Sequence, residues 1–512
     1  MELSRRDMLL TGVAGLALAG CGTGESGNQS GPVGTAPDTE AAPAETSDPL
    51  AELDGVATAA LIASGEITAR EAVAAAIARA RALEPQINGI VNETYDAALA
   101  RADTELSGPF AGVPFFVKDL HRTNGEPLEF GSKGFRGYVP DVTDPVIQGM
   151  FDAGLVSLGK STTPEAGLIS TTEPLSSGPT RNPWNLDHSS GGSSGGAAAL
   201  TAARIVPFAQ ASDGGGSIRI PASCCGLFGL KPSRGRTLPR DFSGPPPVEI
   251  SVVLSVSRSV RDTAWLLDAV ERKGADALLE PVGRVTQASS RRLTIGYAPE
   301  PLIEAETDPE VAAAMDSVRQ LLEDLGHTVK PVTLPLDGNQ FRDDFLLYWA
   351  GGAAEFAMDS AKFSGKVVSD EIVEPWTQGL AQYFLARRGE LPAAIERLQA
   401  FEARYENALG ELGVELILTP TVASPPPPIG YQGPEVDFDT LLERVVSFAA
   451  FTSPQNVSGV AAMSVPLSWS ANGLPIGSHF AGRKGDEAML LALAYELEAA
   501  RPWASRRPPV SA

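Results

Sequence analysis

The sequence predicts one large α/β domain over residues 50–512, with a mixed β-sheet core covered by helices on both faces. Three observations lead there. Apolar content of 43% with 20% charged residues is ordinary for a folded chain. Short apolar runs of β character alternate with helical stretches along most of the length. No internal repeat and no second low-complexity linker divides the 512 residues, a length that also allows two or three smaller domains.

The elements follow in order. From 50 to about 105 an Ala-rich amphipathic pattern predicts helices; Thr68-Ala69-Arg70-Glu71 is a capping-box signature, and Pro85 is read as the end of that run. Strands are predicted at Val113–Val117, Leu155–Leu158 and Ile205–Ala209. Leu293–Tyr297 is a further strand. Asp308-Pro309-Glu310 opens a helix that Gly326 closes, and a strand follows from Thr328 to Val332. Leu416–Leu418 is another strand, and Ala462–Phe480 reads as two strands around the hairpin signal Asn472-Gly473. A last helix runs from Gly485 to Arg501. Residues from about Val248 to Val436 say least about what the protein would bind.

The first fifty residues read differently. Ser4-Arg5-Arg6-Asp7-Met8-Leu9 sets a twin arginine before an apolar run, Leu9–Gly20, that is shorter than the roughly 20 residues a bilayer requires. Leu18-Ala19-Gly20-Cys21 resembles a bacterial lipobox, whose cysteine is lipidated and becomes the first residue. The expectation is an export signal over 1–20 and a disordered acidic tether over 21–49. The protein would then be an exported lipoprotein of the bacterial cell envelope, held to the membrane through Cys21. From Gly22 to about Asp48 there is no Lys or Arg and almost no large apolar side chain, so little burial can offset ordering entropy.

Composition excludes several functions. Lys+Arg is 40 against Asp+Glu 63, a net charge of -23, so no nucleic-acid partner is expected. Three cysteines cannot frame a chain of this size with disulfides, and adjacent Cys224 and Cys225 read as two buried thiols. His121, His188, His327 and His479 have no metal-ligand spacing, so neither a metal nor a cofactor is expected.

Two Gly/Ser clusters dominate the middle of the chain, Gly191–Gly196 and Asp213–Arg219. Either could be a flexible turn. The second, however, follows an apolar strand, where successive glycines can turn backbone N–H groups toward one point and hold an oxyanion. Ser217 at its edge then becomes a nucleophile beside its own oxyanion hole. A base is needed, and a lysine serves if burial leaves it neutral. Only nine basic residues are lysines, and Lys118 ends an apolar strand, although spacing alone favours a solvent-facing charge there. Two other patterns compete. Gly191-Gly192-Ser193-Ser194-Gly195 fits the G-x-S-x-G elbow, with His327 or His479 as base, but Asn182–Ser190 is polar and turn-rich where a strand is needed. Ser157-Leu158-Gly159-Lys160 fits S-x-x-K, with no K-T-G after it.

These residues resemble the amidase signature hydrolases from about Leu53 to Trp503. Gly112–Asp119 resembles the family's catalytic-lysine strand, Gly159–Glu165 its next motif, Gly191–Gly196 its bridging-serine block and Ser212–Pro221 its nucleophile block. Gly473–Gly477 and the Gly485-Asp486-Glu487 helix resemble its C-terminal end. The resemblance implies a Ser–cis-Ser–Lys triad of Ser217, Ser193 and Lys118. It also implies an oxyanion hole from the N–H groups of Gly214, Gly215, Gly216 and Ser217, with Asp213 and Arg219 supporting the loop. The substrate would be a small-molecule carboxylic amide, cleaved through an acyl-enzyme. Ser190, Ala211 and Gly214 depart from the usual family residues without removing a reacting group. The texture around Leu120, Ala211–Gly216 and Ser223–Gly226 is most similar to the branch that includes aminohexanoate cyclic-dimer hydrolases, so a cyclic amide is one alternative. The A subunit of a tRNA-dependent amidotransferase and a non-catalytic solute-binding lipoprotein are the others.

Overall fold

The computed structural model describes residues 48–241 and 246–512. The expected signal segment, Cys21 and all but the end of the expected tether lie outside them. Thirteen strands occur among the described residues. The first half holds β1 (Ile90–Glu93), β2 (Pro114–Lys118), β3 (Val156–Ser161), β4 (Arg181–Asn182), β5 (Asn185–Ser189) and β6 (Phe208–Asp213). Then come β7 (Phe228–Lys231), β8 (Val252–Ser257), β9 (Thr294–Tyr297) and β10 (Thr328–Pro331). The last are β11 (Leu416–Pro420), β12 (Ala462–Trp469) and β13 (Pro475–Ala481).

Eight strands form one mixed sheet in the order β10-β9-β11-β13-β12-β7-β8-β6. Its β9–β10 and β9–β11 pairs are parallel, and the rest antiparallel. A three-stranded sheet, β1-β3-β2, lies beside it. β2 runs next to β6, and Gln210 of β6 accepts the backbone N–H of Lys118 at 2.7 Å. That side chain joins the ends of two sheets at the residue that matters most for chemistry. β2, β6, β7 and β8 are buried along their whole length, as strands covered on both faces must be.

Most of the expected elements form, and the differences have causes. Helix Ala69–Ile87 opens on the expected capping box: Glu71 N–H donates to Thr68 Oγ1, and Thr68 N–H to Glu71 Oε2. Pro85 does not end it. The proline lies within the last turn, and the helix stops where Asn88 turns left-handed (φ 55°) and donates its N–H to Glu84 O at 2.9 Å. β6 starts three residues later than expected and runs on through Gln210, Ala211, Ser212 and Asp213, because Gln210 Oε1, Ser212 Oγ and the Asp213 carboxylate each accept a hydrogen bond inside the protein. Asn185–Ser189, read as a turn, is a short strand paired with β4. Helix Gly338–Ser364, 27 residues long, arises in the stretch that says least about binding.

The described chain begins at Asp48, which caps the turn Pro49–Glu52. Three buried arginines clasp this start. Arg79 pairs with Asp48 at 2.5 Å, Arg204 with Glu52 at 2.7 Å, and Arg258 donates to the carbonyls of Ala51 and Leu53. Arg79 and Arg204 also donate to Ile205 O and Ala504 O, so the clasp reaches both ends of the domain's sequence.

The core is continuous across the sheet. Phe208 at the start of β6 meets Phe110 edge-on at 5.1 Å and packs tightly over Gly55 of the first helix. Phe208→Ala removes a fully buried ring, and should lower stability by about 3–5 kcal/mol. A reduced urea midpoint with an unchanged m-value is the measurement that checks it.

Candidate active site

Lys118 is the last residue of a strand whose five side chains are all buried, and its amine is wholly inaccessible to water. Nζ lies 2.8 Å from Ser193 Oγ and 3.2 Å from Ser212 Oγ. Burial pulls this lysine down to about 7, against a smaller opposing pull from the Asp213 charge. The alternative of a solvent-facing charge is thereby removed. At neutral pH a large share of the amine is unprotonated and able to accept a proton.

Ser193 sits on the turn between β5 and helix Gly195–Ala202, and the Gly192–Ser193 peptide is cis, as the family resemblance implies. Its carbonyl accepts from Thr163 Oγ1 at 2.9 Å. The glycines here serve close approach, since a Cβ on Gly192 would stand 2.3 Å from Thr171 O. Ser194 Oγ and the backbone of Ser212 bond to one another, and Gly191 packs on Pro221, so the turn is laid against the loop that carries Ser217.

That loop is organised by Asp213. Its carboxylate receives Arg219 through Nε and Nη2, both at 3.0 Å, along with the N–H groups of Gly216 at 2.8 Å and Ile218 at 3.1 Å. Both partners of the ion pair are completely buried. Burial raises the Asp213 carboxyl, but the Arg219 guanidinium outweighs it and holds the group well below the usual carboxylate range. Asp213 and Arg219 hold the loop together from within. Gly216, expected among the oxyanion donors, gives its N–H to Asp213 instead. The backbone at Gly216 also requires glycine: φ is +135°, and a Cβ would stand 2.3 Å from Thr452 Oγ1.

Sequence reasoning missed five contributors. Ser212 touches the lysine. Thr452 donates to Gly215 O at 2.6 Å, and Asn456 Nδ2 donates to Asp213 O and Oδ1 at 3.0 and 2.8 Å. Helix Gly338–Ser364 brings Trp349 and Phe345 to 3.4 Å from where a Cβ on Gly214 and on Gly215 would stand, an ordinary contact distance, so both rings lie beside the loop. Ser212 could have been found from its position on the same strand as Asp213; nothing local marks residues more than a hundred positions away.

The competing patterns have other roles. His327 binds Leu293 N–H and Glu496, while His479 contacts Arg219 and Thr419, so both imidazoles are engaged away from Ser193. A strand does precede the Gly191 turn, contrary to expectation, yet the partner of Ser193 is the lysine. Lys160 of S-x-x-K donates to His121 O and Thr123 Oγ1, tying down the segment after β2. Cys224 and Cys225 are buried free thiols, as expected.

A family profile for amidases matches residues 71–491. The chain belongs to the amidase signature family. It is an amide-hydrolysing enzyme. It is 41% identical over 459 residues to the protein designated AmiC in Mycobacterium tuberculosis, covering 89% of this chain and 96% of that one. It is 36% identical over 485 residues to the 6-aminohexanoate-cyclic-dimer hydrolase of Paenarthrobacter ureafaciens, covering 89% and 96%. The solved structure of a 6-aminohexanoate cyclic dimer hydrolase superposes with a TM-score of 0.81 at 33% identity, over 90% of this chain and 99% of the other. A non-catalytic solute-binding role is set aside.

Gly216→Ala should displace the loop against Thr452 and lower kcat by about 100-fold or more, the scale of losing an oxyanion donor. Circular dichroism checks that the fold persists while amide turnover is followed.

Proposed function

We propose that this amidase works through Ser217 as nucleophile, Ser193 as relay and Lys118 as base. The observation that carries the reading is the 2.8 Å contact between Ser193 Oγ and a fully buried lysine whose pKa falls to about 7. Ser217 Oγ attacks the amide carbon as its proton passes to Ser193 Oγ, and the Ser193 proton passes to neutral Lys118 Nζ. The carbonyl oxygen becomes an oxyanion among the N–H groups of Gly214, Gly215 and Ser217. Collapse breaks the C–N bond. The Lys118 proton returns through Ser193 to the departing amine, leaving an acyl ester on Ser217. Water then repeats the cycle, donating its proton to the same relay, and the carboxylate leaves as Ser217 regains its hydrogen.

The site needs no metal for these steps, because each proton has a side chain to accept it. The wall beside the oxyanion loop is aromatic, through Trp349 and Phe345, which suits an apolar acyl or amine portion. Cyclic amides are the second reading, favoured by the full-length similarity to the 6-aminohexanoate-cyclic-dimer hydrolases. We also propose that the protein is exported and anchored by lipid on Cys21, on the strength of the twin arginine, the short apolar run and Leu18-Ala19-Gly20-Cys21. Among the described residues no helix is long and apolar enough to cross a membrane.

Ser217→Ala should abolish amide hydrolysis with the fold intact; full activity in that variant would reject the nucleophile. The base must be unprotonated, and its pKa lies below the ordinary 10.5, so kcat/KM should rise with a midpoint near 7 and level off by about pH 8. A rise that begins only near pH 10 would contradict it. Lys118→Met should remove the activity and this titration together. A screen of linear and cyclic amides separates the two substrate readings. Mass spectrometry of the native N-terminus tests the anchor, for which a mature chain starting anywhere but a diacylated Cys21 is the failing result.

A further inference from the structure

The glycine loop contains a weak point. The peptide unit between Gly215 and Gly216 has no Cβ on either side, so it is the unit of the loop most free to rotate. Its rotation would swing the flanking units, which carry the N–H groups of Gly215 and Ser217. In the structure this unit is held at both ends. Its N–H donates to Asp213 Oδ1 at 2.8 Å, and its carbonyl accepts from Thr452 Oγ1 at 2.6 Å. The first hold comes from within the loop. The second arrives from 237 residues later in the chain, on a completely buried threonine just ahead of helix Ser453–Ser458.

The same short segment grips the loop again one turn on. Asn456 donates to Asp213 O, Asp213 Oδ1 and Ile250 O, and accepts from Arg219 Nη2 at 2.7 Å. Asn456 therefore fixes the carboxylate that fixes one end of the peptide unit, while Thr452 fixes the other end directly. Thr452 Oγ1 also fills the space beside Gly216, which explains why that residue is bare.

We propose that Thr452 is a positioning residue for amide hydrolysis, whose hydroxyl locks the Gly215–Gly216 peptide and so aims the Gly215 and Ser217 amides at the developing oxyanion. It touches neither substrate nor the reacting atoms and acts through the backbone it holds. The inference rests on Ser217 being the nucleophile.

The test uses the full-length enzyme with an aryl amide, and compares Thr452→Val, which keeps the volume and loses the donor, with Thr452→Ser, which keeps the donor. For Thr452→Val, kcat should fall about 10- to 100-fold with KM within about threefold, since an oxyanion contact acts on the transition state. The pH midpoint should not move, because Lys118 is untouched. Affinity for a trifluoromethyl ketone, which forms a tetrahedral adduct with a serine, should weaken by the same factor as kcat/KM, while affinity for the carboxylate product is unchanged. Thr452→Ser should stay within about threefold of the parent. Full kcat in Thr452→Val, an equal loss in a folded Thr452→Ser, a shifted pH midpoint, or a Thr452→Val that does not fold would each overturn the proposal in favour of a packing role. Ser217→Ala assayed alongside separates the two failures. Full activity there rejects the nucleophile, whereas an inactive Ser217→Ala beside a fully active Thr452→Val rejects this inference alone.

Discussion

The site depends on keeping one amine out of water. Lys118 can act as a base near neutrality only because solvation of its ammonium form is denied; the fall from 10.5 to about 7 corresponds to roughly 5 kcal/mol of discrimination against the charged state. An acid nearby would ordinarily undo this, and Asp213 is nearby. Its charge is already claimed by Arg219, Asn456 and two backbone amides, so little of it is left to draw a proton back onto the lysine. The buried ion pair of the nucleophile loop and the neutrality of the base are therefore one arrangement rather than two. Lys231 at the end of β7 illustrates the same balance: burial and the Arg219 charge bring it to about 7 as well, and its amine donates to Pro232 O.

The fold divides the labour along the chain. The proposed reacting groups come from the first half, on β2, on the turn after β5 and just past the end of β6, where the two sheets meet through Gln210. The second half brings the frame: Thr452 and Asn456 from one short helix and its cap, Trp349 and Phe345 from the longest helix. Chemistry is thus set by segments close in sequence, while its shape and precision are set by segments far away. Change in the long helix alters what faces the oxyanion loop without touching a reacting atom.

That division also explains what the sequence could say. The mixed sheet, the hairpin at Asn472-Gly473 and the capping box at Thr68 are written in local periodicity and turn chemistry, and they were legible. Lys118, Ser193 and Ser217 were legible because their spacing and glycine context are local as well. β6 was placed too early because Gln210, Ser212 and Asp213 look like loop residues until their buried partners are known. Pro85 reads as a stop because its restriction is visible in the sequence, whereas the left-handed turn at Asn88 that ends the helix is not. Gly216 was given an oxyanion role because a row of glycines does not reveal which N–H turns toward the acid beside it. Thr452, Asn456 and Trp349 carry no mark at all; a threonine, an asparagine and a tryptophan acquire their functions only from what the fold brings to them.

The arginine clasp at Asp48–Leu53 has a mechanical meaning. A pull applied at Asp48 does not peel away the first helix like a zipper, because Arg79, Arg204 and Arg258 carry the load separately into a helix, the segment before β6 and the end of β8. Three attachments loaded together must be sheared at once, and each is made by a buried arginine. The domain therefore presents a fixed exit point for whatever lies upstream, and tension there is spread over the scaffold before it can reach the serine, the relay or the lysine.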